Sequence, residues 1–237
     1  MLKGASAGKD AYNRYIGKKC LVLVVLVILL AAAVLIALSV GSSGLSLKET
    51  ISALFGGGEA RERTIVWNVR MPRIATGAGV GIALAMAGCI MQNVLRNPLA
   101  SASTLGVSQG ASFGAAFAII CLQVGTQVSN ASGNAITFTN PYAVVICAFL
   151  GGISTTILIL FLSRVSGTTS SVMILAGVAI SSIFTGATTL MQYFSDDEKV
   201  ASVVYWTFGN LGRAGWREIA LIFLLSGAAF AYFFFNR

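Results

Sequence analysis

The sequence predicts an all-α membrane protein: a polytopic helical bundle of about six transmembrane helices, with a short interfacial or re-entrant helix after the fifth, in a single transmembrane domain over residues 1–237. Three observations carry this expectation. Of the 237 residues, 56% are apolar and only 10% are charged, with a mean hydropathy of +0.83; ordinary globular domains carry about 25% charged residues. Residues 20–47, 74–95, 97–163, 165–195 and 219–236 contain no Asp, Glu, Lys or Arg. Eight acids and sixteen bases cannot coat a soluble fold of this length.

Residues 1–19 are polar and basic, with Lys3, Lys9, Arg14, Lys18 and Lys19 against Asp10. The apolar run 20–40 follows; as a helix it is about 32 Å long, enough for a hydrocarbon core of about 30 Å. A signal peptide has an apolar region of only about 7–15 residues, so this run reads as a retained first span. Residues 41–73 are the most mixed in charge, and Gly56-Gly57-Gly58 interrupts any long helix there. Pro72 is placed to start the second span, 74–95. Within that span Gly77, Gly81, Ala85 and Cys89 recur every four residues, a ridge of small side chains that suits close helix packing.

Arg96-Asn97-Pro98 closes the second span. The uncharged stretch that follows is too long for one helix, and the polar segment 125–140 divides it into a third span near 105–124 and a fourth over 141–162. The Asn130-Ala-Ser132 sequon lies in that segment, with nothing else to argue for glycosylation. After a turn at 164–170 comes a fifth span, 171–194. Ser195-Asp-Asp-Glu198 reads as a capping box opening a helix of about 12 residues that ends near 209–212, too short to cross a bilayer. Trp206 and Trp216 suit the headgroup level. The sixth span is 219–235.

Charge does not orient these spans by count. With the amino terminus inside, the inner segments hold 5, 1, 1 and 1 Lys or Arg and the outer ones 5, 0 and 3. The five bases ahead of the first span favour both termini inside, because the first helix usually dominates.

The same composition excludes several functions. There is no histidine, which removes Ser-His-Asp triads and His metal sites. Cys20, Cys89, Cys121 and Cys147 lie in apolar runs without a CxxC, so they read as buried hydrophobes rather than ligands or disulfides. No GxxxxGK[ST] is present, so any ATP and Mg²⁺ belong to another subunit, and no cofactor, metal or catalytic residue is expected in this chain. The net charge of +8 reflects bases flanking apolar runs rather than a nucleic-acid surface. Asp196-Asp197-Glu198 reads as acids at a helix amino terminus, with a cation site as the alternative.

In the fifth span Gly177, Ser181, Thr185 and Thr189 form a row spaced by four. It reads either as small-residue packing or as one wall of a polar solute path. No charge lies within the spans, which argues against a proton relay or voltage sensor and fits a path for large, already chelated solutes.

Arg70-Met-Pro-Arg73, Gly81-Ile-Ala-Leu-Ala-Met-Ala-Gly88-Cys-Ile-Met-Gln92, Arg96-Asn-Pro-Leu-Ala100 and Leu105-Gly-Val-Ser-Gln-Gly-Ala111 together resemble the permeases of the FecCD type. Leu175-Ala-Gly-Val-Ala179 and Tyr205-Trp-Thr-Phe-Gly209 followed by Gly215-Trp216 resemble the same family further on, so the likeness runs from about 20 to 235. These are the permeases of binding-protein-dependent ABC importers for siderophores, haem and cobalamin. The resemblance implies a prokaryotic inner-membrane protein with its amino terminus in the cytoplasm. It also implies a homodimer with a second permease copy, two cytoplasmic ATPase subunits, an external solute-binding protein, and lipid around the spans.

Residue by residue, the resemblance implies that Arg70 and Arg73 dock the binding protein. It implies that Ser170 and Ser171, in the turn before the fifth span, belong to an inner gate, and that Gly177, Ser181, Thr185 and Thr189 line the path. Gly77, Gly81 and Ala85 are expected to pack helices. Family members have ten spans, and this sequence ends after the sixth, ahead of the segments that couple to the ATPase. It therefore resembles the first two-thirds of a permease, and the alternative expectation is a truncated membrane piece that does not transport.

Overall fold

The computed structural model describes residues 2–41, 44–124, 140–166 and 169–236, with the side chains of 2–11 and 166 outside the description. The expected loop 125–140 and its sequon lie almost wholly outside these residues, as do residues 167 and 168 of the expected turn 164–170. Helices dominate, and among the described residues there is no strand. Among the described residues five helices are long and apolar enough to cross a membrane. The chain forms two compact units, residues 1–80 with 211–228 and residues 81–210 with 229–237.

In the first unit, α1 (Leu2–Ser39) is 38 residues long, so the basic leader continues the apolar span as one helix of about 57 Å. Helix α2 (Leu47–Leu54) opens with a capping box: Ser46 accepts from the Glu49 amide, and the Glu49 carboxylate accepts from the Ser46 amide. It stops at Phe55, where Gly56 and Gly58 take positive φ. Helix α3 (Ala60–Ile65) then runs through a π-helical turn, Val66–Arg70, directly into α4 (Met71–Leu95).

Pro72 therefore does not start the second span; it lies inside a continuous helical stretch from Ala60 to Leu95. The π turn explains how the proline is tolerated. It shifts the hydrogen-bond register, so that the Met71 amide donates to Val66. The same register would hand the Trp67 carbonyl to an N–H at residue 72, and proline has none. The Trp216 indole Nε1–H donates to that carbonyl instead, at 3.3 Å, with the two indole rings 6.2 Å apart.

The second unit begins where α4 continues past Gly81. The stop of α4 at Arg96-Asn97-Pro98 is a left-handed cap: Arg96 has φ 47°, its amide donates to Asn93, and the Asn97 amide donates to Gln92. The expected third span is instead the shorter α5 (Val107–Ile120), 14 residues or about 21 Å. Left-handed residues bound it, Gly106 at φ 76° and Gln123 at φ 54°, and hydropathy does not register them.

Helices α6 (Pro141–Ser166) and α7 (Ser170–Tyr193) have spanning length. The short helix expected next is α8 (Asp197–Phe208), 12 residues, ending at Gly209 with φ 75°. Its cap differs from the expected box. Asp196 rather than Ser195 is the N-cap residue; among the described residues no side chain caps the helix, and the buried Ser195 hydroxyl meets no hydrogen-bond partner. Asp196 pairs with Lys199 at 3.1 Å. The chain closes with α9 (Trp216–Phe235), 20 residues.

Helix α5 is the centre of the second unit, packed on α6, α7 and α8. Ala115, Ala116, Ala118 and Ile119 of α5 meet Val144 and Ala148 of α6 and Val203 of α8, with Trp206 packed at the edge.

Candidate functional site

The fifth-span row is split by the structure between packing and lining. Gly177 is buried against the chain ahead of α5: a Cβ there would lie 2.8 Å from Leu105 Cα and 3.1 Å from the Thr104 carbonyl oxygen. Gly106, at φ 76°, meets the same stretch of α7, where a Cβ would come 2.9 Å from the Gly177 carbonyl oxygen. These two glycines bring α7 onto the entry of α5. Ser181 and Thr185, one and two turns further on, line an open cleft of about 850 Å³. Thr189 is exposed beyond it, its hydroxyl donating to the Thr185 carbonyl at 3.0 Å.

Asn97, Ser103, Thr104, Gln109, Ser171 and Ser182 add hydroxyls and amides to the cleft wall, and Leu99, Ile174, Leu175 and Val178 add apolar surface. None of the lining residues is ionisable. A cavity of this size suits a bulky ligand, and its polar groups are acceptors and donors without net charge. The Ser181 hydroxyl already donates to Gly177 at 2.7 Å, which leaves its oxygen able to accept.

Ser170 and Ser171 are not in a turn. Thr169 caps α7, accepting from the Val172 amide, and both serines lie in its first turn. Ser170 donates to the carbonyl of Leu95 and so ties the start of α7 to the end of α4. Ser171 is exposed and lines the cleft.

Arg70 and Arg73 are placed very differently. Arg70 is only 7% exposed, and its Nη1 donates to the Leu38 carbonyl, to the Ser39 carbonyl at 3.5 Å and to the Thr50 hydroxyl at 3.1 Å. The carbonyls belong to the last turn of α1, the negative end of its dipole, where a guanidinium is favoured. Bonds of this charged kind contribute about 1.5–3 kcal/mol each. Arg73, three residues on, is exposed. The resemblance gives both arginines the same docking role, whereas burial under the end of α1 separates them.

Along the α4 ridge, among the described residues, a Cβ built on Gly77 would meet Leu211 at 3.6 Å, while Gly81 and Ala85 are exposed and a Cβ on Gly81 would meet nothing within 4 Å. The close packing of the first unit lies on a different glycine. A Cβ at Gly79 would come 2.9 Å from Ile222 and 3.3 Å from Phe223.

Sequence reasoning missed the tightest helix pair altogether. Gly110 and Gly114 of α5 face Gly151 and Cys147 of α6: a Cβ on Gly110 would lie 2.6 Å from the Gly151 carbonyl oxygen, and one on Gly114 2.8 Å from the Cys147 carbonyl carbon. The signal was present as Gly110-Ala-Ser-Phe-Gly114, a GxxxG. Among the described residues no group of three or more His, Cys, Asp or Glu is arranged to hold a metal ion.

The fold and site thus define a multi-pass helical membrane protein with an uncharged, hydroxyl-lined cleft on a spanning helix. The chain belongs to the FecCD transport family, which matches residues 28–237. It is 44% identical over 226 residues to an ABC transporter permease protein of Methanocaldococcus jannaschii, covering 95% of this chain and 64% of that relative. It is 32% identical over 160 residues to the hemin transport system permease protein HmuU of Yersinia pestis, covering 65% of this chain and 43% of that protein. Against the vitamin B12 import system permease protein BtuC of Shigella boydii serotype 18 the identity is 32% over 203 residues, covering 86% and 56%. Among solved structures it resembles a metal-chelate type ABC transporter in an inward-facing conformation, with a TM-score of 0.66 and 28% identity, covering 88% of this chain and 60% of that one. The chain thus spans less than two-thirds of the length of each of these relatives.

Proposed function

We propose that this chain is a transmembrane permease subunit of a binding-protein-dependent ABC importer for a bulky metal chelate: an iron-siderophore, haem, cobalamin or a similar solute. The observation that carries the reading is the cleft along α7, large enough for part of such a solute and lined by Ser181, Ser182, Thr185, Asn97 and Gln109 without an ionisable group. A chelate has already satisfied the charge of its metal, so its path calls for neutral hydrogen-bonding groups and apolar contact rather than fixed charge or metal ligands. The family membership and the names of the relatives support the same reading.

The subunit contributes no catalysis and no cofactor. Energy comes from two ATPase subunits on the cytoplasmic side, the solute from an external binding protein, and the full pore from a second permease copy. The chain lies in a prokaryotic inner membrane with its amino terminus inside, Arg73 presented to the binding protein, and Ser170 and Ser171 at the inner end of the path. ATP-dependent uptake of haem, cyanocobalamin and a ferric siderophore into proteoliposomes holding the assembled importer tests this. Saturable uptake of one of them supports the proposal; no ATP-dependent uptake of any chelate, with ATPase and binding protein shown to be bound, refutes it.

A further inference from the structure

Arg70 sits where three pieces of the first compact unit meet. It is the last residue of the π turn, and its Nη1 reaches the carbonyls of Leu38 and Ser39 at the end of α1 and the hydroxyl of Thr50 on α2. Thr50 is 1% exposed and itself fixed, its hydroxyl donating to the Ser46 carbonyl at 2.9 Å. Gly41 leaves room for the guanidinium, since a Cβ there would lie 3.1 Å from Nη2. Two residues beyond Arg70, Pro72 is buried, and at the next position Arg73 is exposed.

We propose that Arg70 is a positioning residue: a latch that holds the carboxyl end of α1 and the buried face of α2 on the π turn, and so fixes the direction in which Arg73 points. The π turn needs such a tie, because a helix with a shifted ladder and a proline is weakened at that point. The Trp216 indole ties it at Trp67, and Arg70 ties it three residues later. Arginine suits the task, since its guanidinium stays charged when buried, and one of its nitrogens, Nη1, reaches all three acceptors. A guanidinium with 7% exposure cannot also meet a partner unless these bonds break. The consequence for docking at Arg73 rests on the proposed function, but the latch itself does not.

The test measures the latch without a partner. Nitroxide labels at positions 40 and 73, in the full chain with its native cysteines replaced by serine, report the distance distribution across it. Labels at 142 and 193 report on the other unit. Arg70→Gln should about double the width of the 40–73 distribution and leave the 142–193 width unchanged, because only local order is lost. Arg70→Lys should restore part of the narrowing, and Thr50→Val, which keeps the shape and removes one acceptor, should give an intermediate width. Thr50→Val also carries the test if Arg70→Gln fails to insert.

A 40–73 width unchanged in Arg70→Gln, or in Thr50→Val where that variant stands in, overturns the latch. Equal broadening of both pairs overturns it as well, since that marks general loosening. If Arg70→Gln broadens the 40–73 pair while Arg73→Glu leaves binding-protein affinity intact, the latch stands and the docking reading fails.

Discussion

Gly110 on α5 and Gly151 on α6 are in backbone contact. A side-chain carbon on Gly110 would sit 2.6 Å from the Gly151 carbonyl oxygen, where no real Cβ fits. One turn further on, Gly114 makes the same kind of contact with Cys147. Lipid tails are as apolar as leucine, so such helices associate through close backbone approach rather than through the hydrophobic effect.

Gly114→Val should therefore destabilise the second unit by about 1–3 kcal/mol, the usual cost of forcing volume into a packed contact. Gly81→Ala should instead be neutral or stabilising by up to about 1 kcal/mol, because alanine is the better helix former and, among the described residues, a Cβ there meets nothing within 4 Å outside its own helix. Thermal unfolding of the two variants in the same detergent measures the difference. Equal shifts would show that the α5–α6 contact is not the tight one.

Trp216→Phe keeps an aromatic ring, though a smaller one, and removes the N–H that satisfies the Trp67 carbonyl. Both indoles are partly exposed, at 45% and 42%, so the loss should be about 0.5–1.5 kcal/mol rather than the full penalty of a buried orphan. Thermal unfolding reads this cost. A Trp216→Phe chain as stable as its parent would mean that the π turn needs no external donor.

How much of this was legible in the sequence depends on what sets each feature. Spans α6, α7 and α9 are set by runs of apolar side chains, and the sequence marks their ends to within a few residues. Pro72 misled because a local start signal can be absorbed by a register shift and by the Trp216 indole, 149 residues along the chain from the Trp67 carbonyl it satisfies, and neither is visible in a window of sequence. The length of α5 was missed because Gly106 and Gln123 end it through backbone conformation, not polarity. For the site, a spacing of four placed Gly177, Ser181, Thr185 and Thr189 on one face of α7. It could not say that the face is packed at 177, open at 181 and 185, and past the cleft at 189. Arg70 and Arg73 show the same limit: residue type gave both a charge, and only tertiary structure buried one of them.

The proposed orientation puts Asn140, at the start of α6, outside and Arg164, in its last turn, inside. In a chain lacking native cysteine, Asn140→Cys should be labelled by an impermeant thiol reagent in intact cells, and Arg164→Cys only after permeabilisation. The opposite pattern would invert the topology and place Arg73 on the wrong side for an external partner.

Docking through Arg73 predicts a salt signature. Arg73→Glu should weaken binding of the external protein by about tenfold at low salt, and the difference should shrink as ionic strength rises toward a Debye length of about 8 Å. Arg70→Gln should weaken binding by a smaller factor, and that loss should shrink with salt in the same way, because what it spoils is the charged contact of Arg73. In Arg73→Glu the further change Arg70→Gln should add little, and surface plasmon resonance across a salt series measures both. A salt-independent loss in Arg73→Glu would remove it from the charged interface.

Thr185 offers the sharpest test of the cleft, because it lines the wall without taking part in the Gly177–Leu105 contact. Thr185→Leu fills part of the cleft and replaces a hydroxyl with apolar bulk, on a helix face that is already exposed. Folding should be little affected, within about 0.5 kcal/mol for a substitution on an open face. Uptake at saturating solute should fall by about tenfold, which corresponds to about 1.4 kcal/mol on the transport step. Thr189→Leu, on the same face but beyond the cleft, should transport normally, and Gly177→Leu should fail by misfolding, seen as lost protein rather than slowed uptake. Initial rates of ATP-driven uptake, normalised to folded protein, discriminate the three. Normal uptake in Thr185→Leu, or an equal loss in Thr189→Leu, would mean that the solute does not pass along this wall.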